Sequence, residues 1–408
     1  MSSGAWHTDK WFTSPYNWVD EVRAQLGFAK KVQFHDVSLR DGEQQAGIMF
    51  TKDEKVAIAE KLAEVGVQRI EAGMPAVSKQ DEAAIREIVR RKLGPKIFAF
   101  SRCMVEDIDR AADCGVDGVV VEIPSSQHMV KHAYRWPMEK AIELSITATR
   151  HAHELGLYTV FFPIDASRAE LDWVLNLFER VATEGHMDAL AVVDTLGGCS
   201  PHAIPYLIKT IKSRINKPLE THFHDDFGLG VANTILGLAA GAEVAHTTVT
   251  GIGERAGNAA YEDVALALLT MYGVDTGLNY EKMVELSHLV TRLAGVAVPP
   301  NRSIVGERLL NVESGIITTW FLNCGEEHQL ELFPFRWDLV GQNRPRVVLG
   351  KNSGADSIKH YLAMLGLQAT GEQVGALLVM VKDWAMKNKR IMTQDEFAAL
   401  AREFLAKV

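Results

Sequence analysis

From Val32 onward, short runs of β-branched and other apolar residues alternate with longer segments whose apolar positions recur at helical spacing. The short runs predict eight strands, at residues 32–38, 68–74, 97–102, 118–123, 158–165, 189–195, 219–225 and 244–250. Between them lie amphipathic stretches such as 52–65, where Val56, Ile58, Ala59, Leu62 and Ala63 share a face, and 138–155, 169–182 and 259–271. Helix starts are signalled at Thr51, Ser78, Trp136-Pro137 and Ser200-Pro201. Eight strand-helix units predict an α/β fold, a (β/α)8 TIM barrel, more strongly than an open sheet. A doubly wound sheet would carry G-x-G-x-x-G after its first strand, and here Arg-Asp-Gly-Glu-Gln stands there.

Outside the barrel the grammar changes. Residues 1–27 are aromatic and polar without periodicity and read as an N-terminal extension, leaving 28–295 for the catalytic barrel. VPPNRSIVGERLL then breaks the helical pattern, and 296–354 reads as a linker subdomain rich in Pro, Asn and Gly. Residues 355–408 form a small helical C-terminal subdomain, with helices expected at 371–387 and 393–407.

A net charge of -9 argues against sequence-independent nucleic-acid binding. No apolar run has the length of a membrane span or signal peptide, so a soluble protein without a membrane partner is expected. Cys103, Cys114, Cys199 and Cys324 lie far apart, which fits a reducing cytoplasm rather than a disulfide framework or thiolate zinc site.

Catalytic groups of a parallel barrel gather at the C-terminal ends of its strands. Asp41 follows the first run, Glu71 lies on the second, Arg102 ends the third, His222 and His224 lie on the seventh, and 253–258 follows the eighth. In SLRDGEQ, Arg40 can donate to a carbonyl oxygen while Asp41 can ligate a cation. Side chains at i and i+2 of a strand share a face, so His222 and His224 project together. With a carboxylate from a distant strand they make a mixed nitrogen and oxygen site for a divalent ion. Plainer readings stand beside these: a solvated Arg-Asp turn, hydrogen-bonded structural histidines, Asp225 and Asp226 as turn residues, and GIGERAGNAAYED as a glycine-rich loop entering a helix.

SLRDGEQQAG, RIEAGMP, THFHDDFGLGVANT and TGIGERAGNAAYED, in that order and at these intervals, resemble the DRE-TIM metallolyase superfamily. Within it, the chain is most similar to the Claisen-type synthases, isopropylmalate synthase and homocitrate synthase. The likeness runs from about residue 32 to about 270 and resumes at VGERLLNVESGI and LGKNSG. It implies that Asp41, His222, His224 and Asn258 hold a divalent metal (Zn, Mn or Mg), with Arg40 stabilising oxyanion charge and Glu71 orienting it. It also implies substrate contacts from Arg40, Gln44, Arg102 and Thr195. The reaction implied is condensation of an acyl-CoA, such as acetyl-CoA, with a metal-chelated 2-oxo acid. A homodimer is implied too, to whose interface Trp6, Trp11, Phe12 and Trp18 could add, unless they cover their own barrel.

The chain departs from the synthase pattern at two places. His-Glu-Ser-Gly-Ile-His of the linker region reads Val312-Glu313-Ser314-Gly315-Ile316-Ile317, so the acid-base histidine is missing. His328, His132 and Glu313 are candidate replacements. Ser-Pro-Glu-Asp-Ala of the fifth strand reads Phe162-Pro163-Ile164-Asp165-Ala166. Met74, Ile123, Phe162 and Ile164 are thus expected to form an apolar wall, which disfavours a dicarboxylic oxo acid. Loss of the histidines also raises an alternative, a carbon-carbon lyase similar to hydroxymethylglutaryl-CoA lyase. A non-catalytic binding protein is a third reading, against which the intact metal and Arg40-Glu71 set argues. Feedback inhibition through the long C-terminal regulatory domain of many isopropylmalate synthases is not expected.

Overall fold

The computed structural model describes residues 4–407. Two compact units emerge, one of residues 15–298 and one of 4–14 with 299–407.

In the first unit, eight parallel strands close into a barrel in sequence order: β1 (Gln33–Asp36), β2 (Arg69–Glu71), β3 (Lys96–Arg102), β4 (Gly118–Pro124), β5 (Tyr158–Ile164), β6 (Ala189–Asp194), β7 (Leu219–Phe223) and β8 (Val244–Thr247). β8 pairs with β1 to complete the closure, His246 opposite His35. Six of the strands are shorter than the runs that predict them, β1 and β2 each for a local reason. β1 stops where the Asp36 carboxylate accepts from the Ser38 amide and hydroxyl, 3.0 and 3.1 Å away, turning the chain toward Arg40. β2 stops before Gly73, whose φ of 141° lies outside what a side-chain-bearing residue readily adopts.

The helix Lys52–Val65 begins with a capping box: Thr51 Oγ1 accepts from the Glu54 amide at 3.3 Å, and Glu54 Oε2 accepts from the Thr51 amide at 2.7 Å. Thr51→Ala removes half of this exchange. It is expected to cost about 1 kcal/mol, visible as a lower urea midpoint with an unchanged slope.

The barrel interior is divided. Phe98, Phe100, Val120, Val160, Phe162, Ala189, Ala191 and Val193 fill the side built by β3 to β6, with Met74, Tyr158 and Ile164 packed on them. The side built by β7, β8, β1 and β2 is polar: Glu220, His222, His246, His35 and Glu71 are all buried there. A packed apolar half thus backs a polar half in which charged groups are held away from water.

Trp18 packs on the barrel unit itself, its ring lying under the Arg23 guanidinium at 4.9 Å. In the second unit, Trp11 bridges to Phe335. That unit also holds the helices Gly315–Cys324, Ala355–Met364, Gly371–Asn388 and Gln394–Lys407, with Leu349, Ile358, Leu377 and Phe397 in its core. No described helix is long and apolar enough to cross a membrane.

Candidate active site

The turn after β1 delivers Arg40 and Asp41 to the C-terminal mouth, both buried. The Arg40 guanidinium lies on the Phe100 ring at 4.1 Å and is 5.7 Å from the Phe162 ring. Its Nε donates to Glu71 Oε1, and its Nη1 donates to Asp41 Oδ2 and Gln44 Oε1, each 2.9 Å away. Nη2 is buried with no partner. A guanidinium fixed through two nitrogens, with the third buried and unpartnered, is a preorganised donor for developing negative charge.

Beside it, ligand atoms of Asp41, His222 and His224 all lie within 4.8 Å of one another. Asp41 Oδ2 is 3.3 Å from His222 Nε2 and 3.9 Å from His224 Nε2. His224 Nδ1 lies 3.1 Å from the Gly257 carbonyl, which accepts its proton and leaves Nε2 with a lone pair facing Asp41. Burial would raise the Asp41 carboxyl, but Arg40 and the His222 hydrogen bond hold it well below the usual carboxylate range. Burial pushes His222 down to about 3, against the pull of Asp41, and lowers His224 too. Asn258 Nδ2 donates to Asp41 Oδ1 at 2.9 Å, while Asn258 Oδ1 is buried without a partner. Two neutral imidazoles, one carboxylate and a vacant amide oxygen fit a divalent cation, for which they would be the ligands.

The GIGERAGN loop has a defined task in this. His224 and Asn258 form an antiparallel bridge, and Gly253, at φ 151°, passes so close that a Cβ there would overlap Asn258 Nδ2. The glycines let the backbone fold tightly enough to bring Asn258 onto Asp41.

Below the mouth, the polar half of the barrel forms a column. Glu71 Oε2 lies 3.5 Å from His35 Nε2, and His35 Nδ1 lies 4.0 Å from Glu220 Oε2. Glu220 also accepts from Arg69 at 2.6 Å and lies 2.7 Å from His246 Nε2. Burial lowers His35 to about 4, and it would raise Glu71 and Glu220, whose cationic and histidine partners instead bring both to about 2.

Residues 31–290 match the HMGL-like family. The chain belongs to that family. Over nine-tenths or more of its length it resembles synthases: a putative (R)-citramalate synthase of Archaeoglobus fulgidus (41% identity, 90% of this chain and 74% of that one) and a probable 2-isopropylmalate synthase of Ignicoccus hospitalis (41%, 92% and 93%). A homocitrate synthase of Methanothermobacter thermautotrophicus is 35% identical over 94% of this chain and 95% of its own. The HMG-CoA lyase structure of Bacillus subtilis covers 67% of this chain and 97% of its own with a TM-score of 0.60 at 20% identity, which is a likeness of fold. This HMGL-like chain is therefore an enzyme of the synthase kind.

The remaining sequence candidates fall less centrally in this HMGL-like barrel. Arg102 ends β3 half-exposed, its guanidinium donating to both Asp107 oxygens at 2.7 and 3.0 Å. Thr195 follows β6, and its Oγ1 accepts from the Asp165 amide at 2.8 Å. His132 is exposed, and the Glu313 carboxylate accepts from the Asn352 amide at 3.0 Å.

Ile123 does not belong to the apolar wall. Val120 packs inside the barrel with Phe100 and Val160, so strand alternation turns Ile123 outward and Glu122 inward. Glu122 and the buried His35, Glu220 and His246 were not singled out by the sequence. Glu220 carried a usable signal, since it precedes His222 and His224 at the same two-residue spacing and so shares their face.

Proposed function

We propose that the chain is a divalent-metal-dependent synthase that condenses an acyl-CoA, acetyl-CoA first among donors, with a 2-oxo acid to give a 2-alkylmalate-type hydroxy acid and CoA. The observation that carries this reading is the meeting, at one barrel mouth, of a buried His-His-Asp-Asn donor set with an arginine whose Nη2 is free. The synthase names of relatives matched over most of the chain support the same direction.

Asp41, His222, His224 and Asn258 would hold Zn, Mn or Mg, which supplies Lewis acidity to the oxo-acid carbonyl when bound. Arg40 Nη2 offers a charged hydrogen bond to the oxygen on which negative charge develops, and Glu71 and Gln44 keep the guanidinium from turning away. Thr195 and Arg102 are proposed contacts for the oxo-acid carboxylate, Arg102 on release from Asp107. Beside Arg40 and Gln44 opens a cavity of about 390 Å³, lined also by Met49, Met74 and Phe100, which suits small apolar acyl or oxo-acid groups. A cytoplasmic homodimer completes the proposal, in keeping with four free cysteines.

Release of free thiol from acetyl-CoA across a panel of 2-oxo acids, with metal added or chelated, tests it. Metal-dependent release is expected with an apolar oxo acid and not with 2-oxoglutarate. No release with any oxo acid, from protein carrying stoichiometric metal, would rule out acetyl-CoA as the donor; no release with other acyl-CoA donors either would sink the condensation and favour cleavage of a hydroxy acid.

A further inference from the structure

The synthase reading leaves one step without a residue, removal of a proton from the carbon next to the thioester. At the two positions where the resemblance to the synthases leads one to expect histidines the chain has Val312 and Ile317, and neither can take a proton.

β4 carries a carboxylate into the mouth. Glu122 lies level with Arg102 of β3 and Phe162 of β5 and faces the barrel interior. Phe162 in turn touches the metal-binding cluster and the arginine, its ring centroid 4.8 Å from that of His222 and 5.7 Å from the Arg40 guanidinium carbon. Glu122 thus stands in register beside the residue whose ring meets Arg40 and His222, close enough for the Arg40 charge to act on its carboxyl. Its Oε1 is withdrawn from solvent and has no hydrogen-bond partner, although the residue as a whole is only half-buried. Other carboxylates around this mouth are occupied: Asp107 by Arg102, Asp165 by Arg168, Asp194 by Ser167, and Asp226 by Arg255. A buried carboxylate with an open oxygen is costly unless something completes it.

We propose that Glu122 is the acid-base residue of this site, taking the α-proton of the acyl donor and returning it to the new alkoxide. The proposal rests on the synthase reading. In the first step the C–H bond breaks, the proton passes to Glu122, and the electron pair enters the enolate. In the second the enolate carbon bonds to the oxo-acid carbonyl carbon, the C=O π pair moves to oxygen beside Arg40, and Glu122 gives that oxygen its proton. Water then cleaves the thioester and CoA leaves as the thiol, so Glu122 ends as it began.

The surroundings suit both protonation states. Burial pushes the Glu122 carboxyl up to about 7; Arg40 and Arg102 pull it down and Asp107 pushes it up. The other titratable groups facing it are Cys103 and Tyr134, both held neutral by burial, and from β5 it meets the apolar Phe162. A base of this kind works best when its pKa lies near the operating pH.

Glu122→Gln keeps the shape and removes the base. In metal-loaded enzyme we expect kcat for thiol release to fall about a hundredfold, with the oxo-acid KM within about twofold of wild type. The rise of wild-type kcat/KM with pH through the neutral range is expected to vanish in the variant, while Glu122→Asp should restore part of kcat and that rise. Unchanged melting temperature and metal content would show that the variant is folded. Wild-type kcat and pH profile in Glu122→Gln would overturn the proposal, as would a raised KM with kcat intact, which would make Glu122 a recognition group. Wild-type enzyme inactive with every oxo acid would bring down the synthase reading, and this base with it.

Discussion

Exchanging His222 for alanine is expected to lower divalent-metal affinity at least a hundredfold and turnover about a thousandfold. Its Nε2 lies 3.3 Å from Asp41 Oδ2, and its ring is buried between neighbours, with centroids 4.8 Å from Phe162 and 5.4 Å from His246. Removing one of two imidazoles leaves an oxygen-rich remnant, which holds a borderline-soft ion poorly and imposes no open geometry. Lewis-acid stabilisation is worth several kcal/mol, and about 4 kcal/mol corresponds to three decades in rate. Titration calorimetry of chelator-treated protein reads the affinity directly. The rise in melting temperature on adding metal is an independent measure, because a ligand that binds only the folded state stabilises by mass action. Asp226→Asn serves as a comparison, since Asp226 is paired with Arg255 and takes no part in the donor set. A His222→Ala protein that still holds one ion per chain at wild-type affinity would remove this cluster as the metal site.

The barrel was legible because its strands are spaced by amphipathic helices, and spacing survives in a linear sequence. The meeting of His222 and His224 was legible because H-x-H on a strand dictates a shared face. The facing of β4 was not. Both sides of a parallel barrel strand are buried, so VVVEIP shows no alternation of apolar and polar positions from which inward and outward could be told. Only the pairing of β4 with β3 and β5 fixes that Val120 joins Phe100 and Val160 inside, which carries Glu122 to the mouth and sends Ile123 outward. The polar column was hidden for a related reason. His35, Glu71, Glu220 and His246 stand on four strands scattered over the chain, and they become one system only when β8 closes on β1.

That column makes the mouth depend on groups it does not expose. Arg40 is fixed by Glu71, and Glu71 is flanked by His35, which stands over the Glu220, Arg69 and His246 cluster. The apolar half, with Phe100 and Phe162 against the guanidinium, excludes water from the same arginine. Directing Nη2 is thus shared between a charge partner on one side and ring faces on the other.

Glu71→Gln is accordingly expected to destabilise the barrel unit by about 3 to 5 kcal/mol at pH 7 and to lower kcat at least a hundredfold as Arg40 loses its anchor. Glu71 is buried, and its Oε1 accepts from Arg40 Nε. Glutamine removes the negative charge and leaves the buried guanidinium with Asp41 as its one remaining hydrogen-bonded carboxylate. The pH dependence separates this from a packing defect. Burial alone would raise the Glu71 carboxyl, but Arg40, with lesser help from His35 and His246, brings it to about 2. A carboxyl whose folded pKa lies below its unfolded value of about 4.3 stabilises the fold fully above that value. It surrenders that stability as pH falls toward 2, a contribution on the order of 3 kcal/mol. The stability gap between wild type and Glu71→Gln should therefore be widest above pH 5 and close progressively below pH 4.3. Urea unfolding of chelator-treated protein at a series of pH values from 7 to 3 reads the gap. A difference that stays constant over that range would mean that Glu71 acts through shape alone, and the electrostatic anchoring of Arg40 would have to be abandoned.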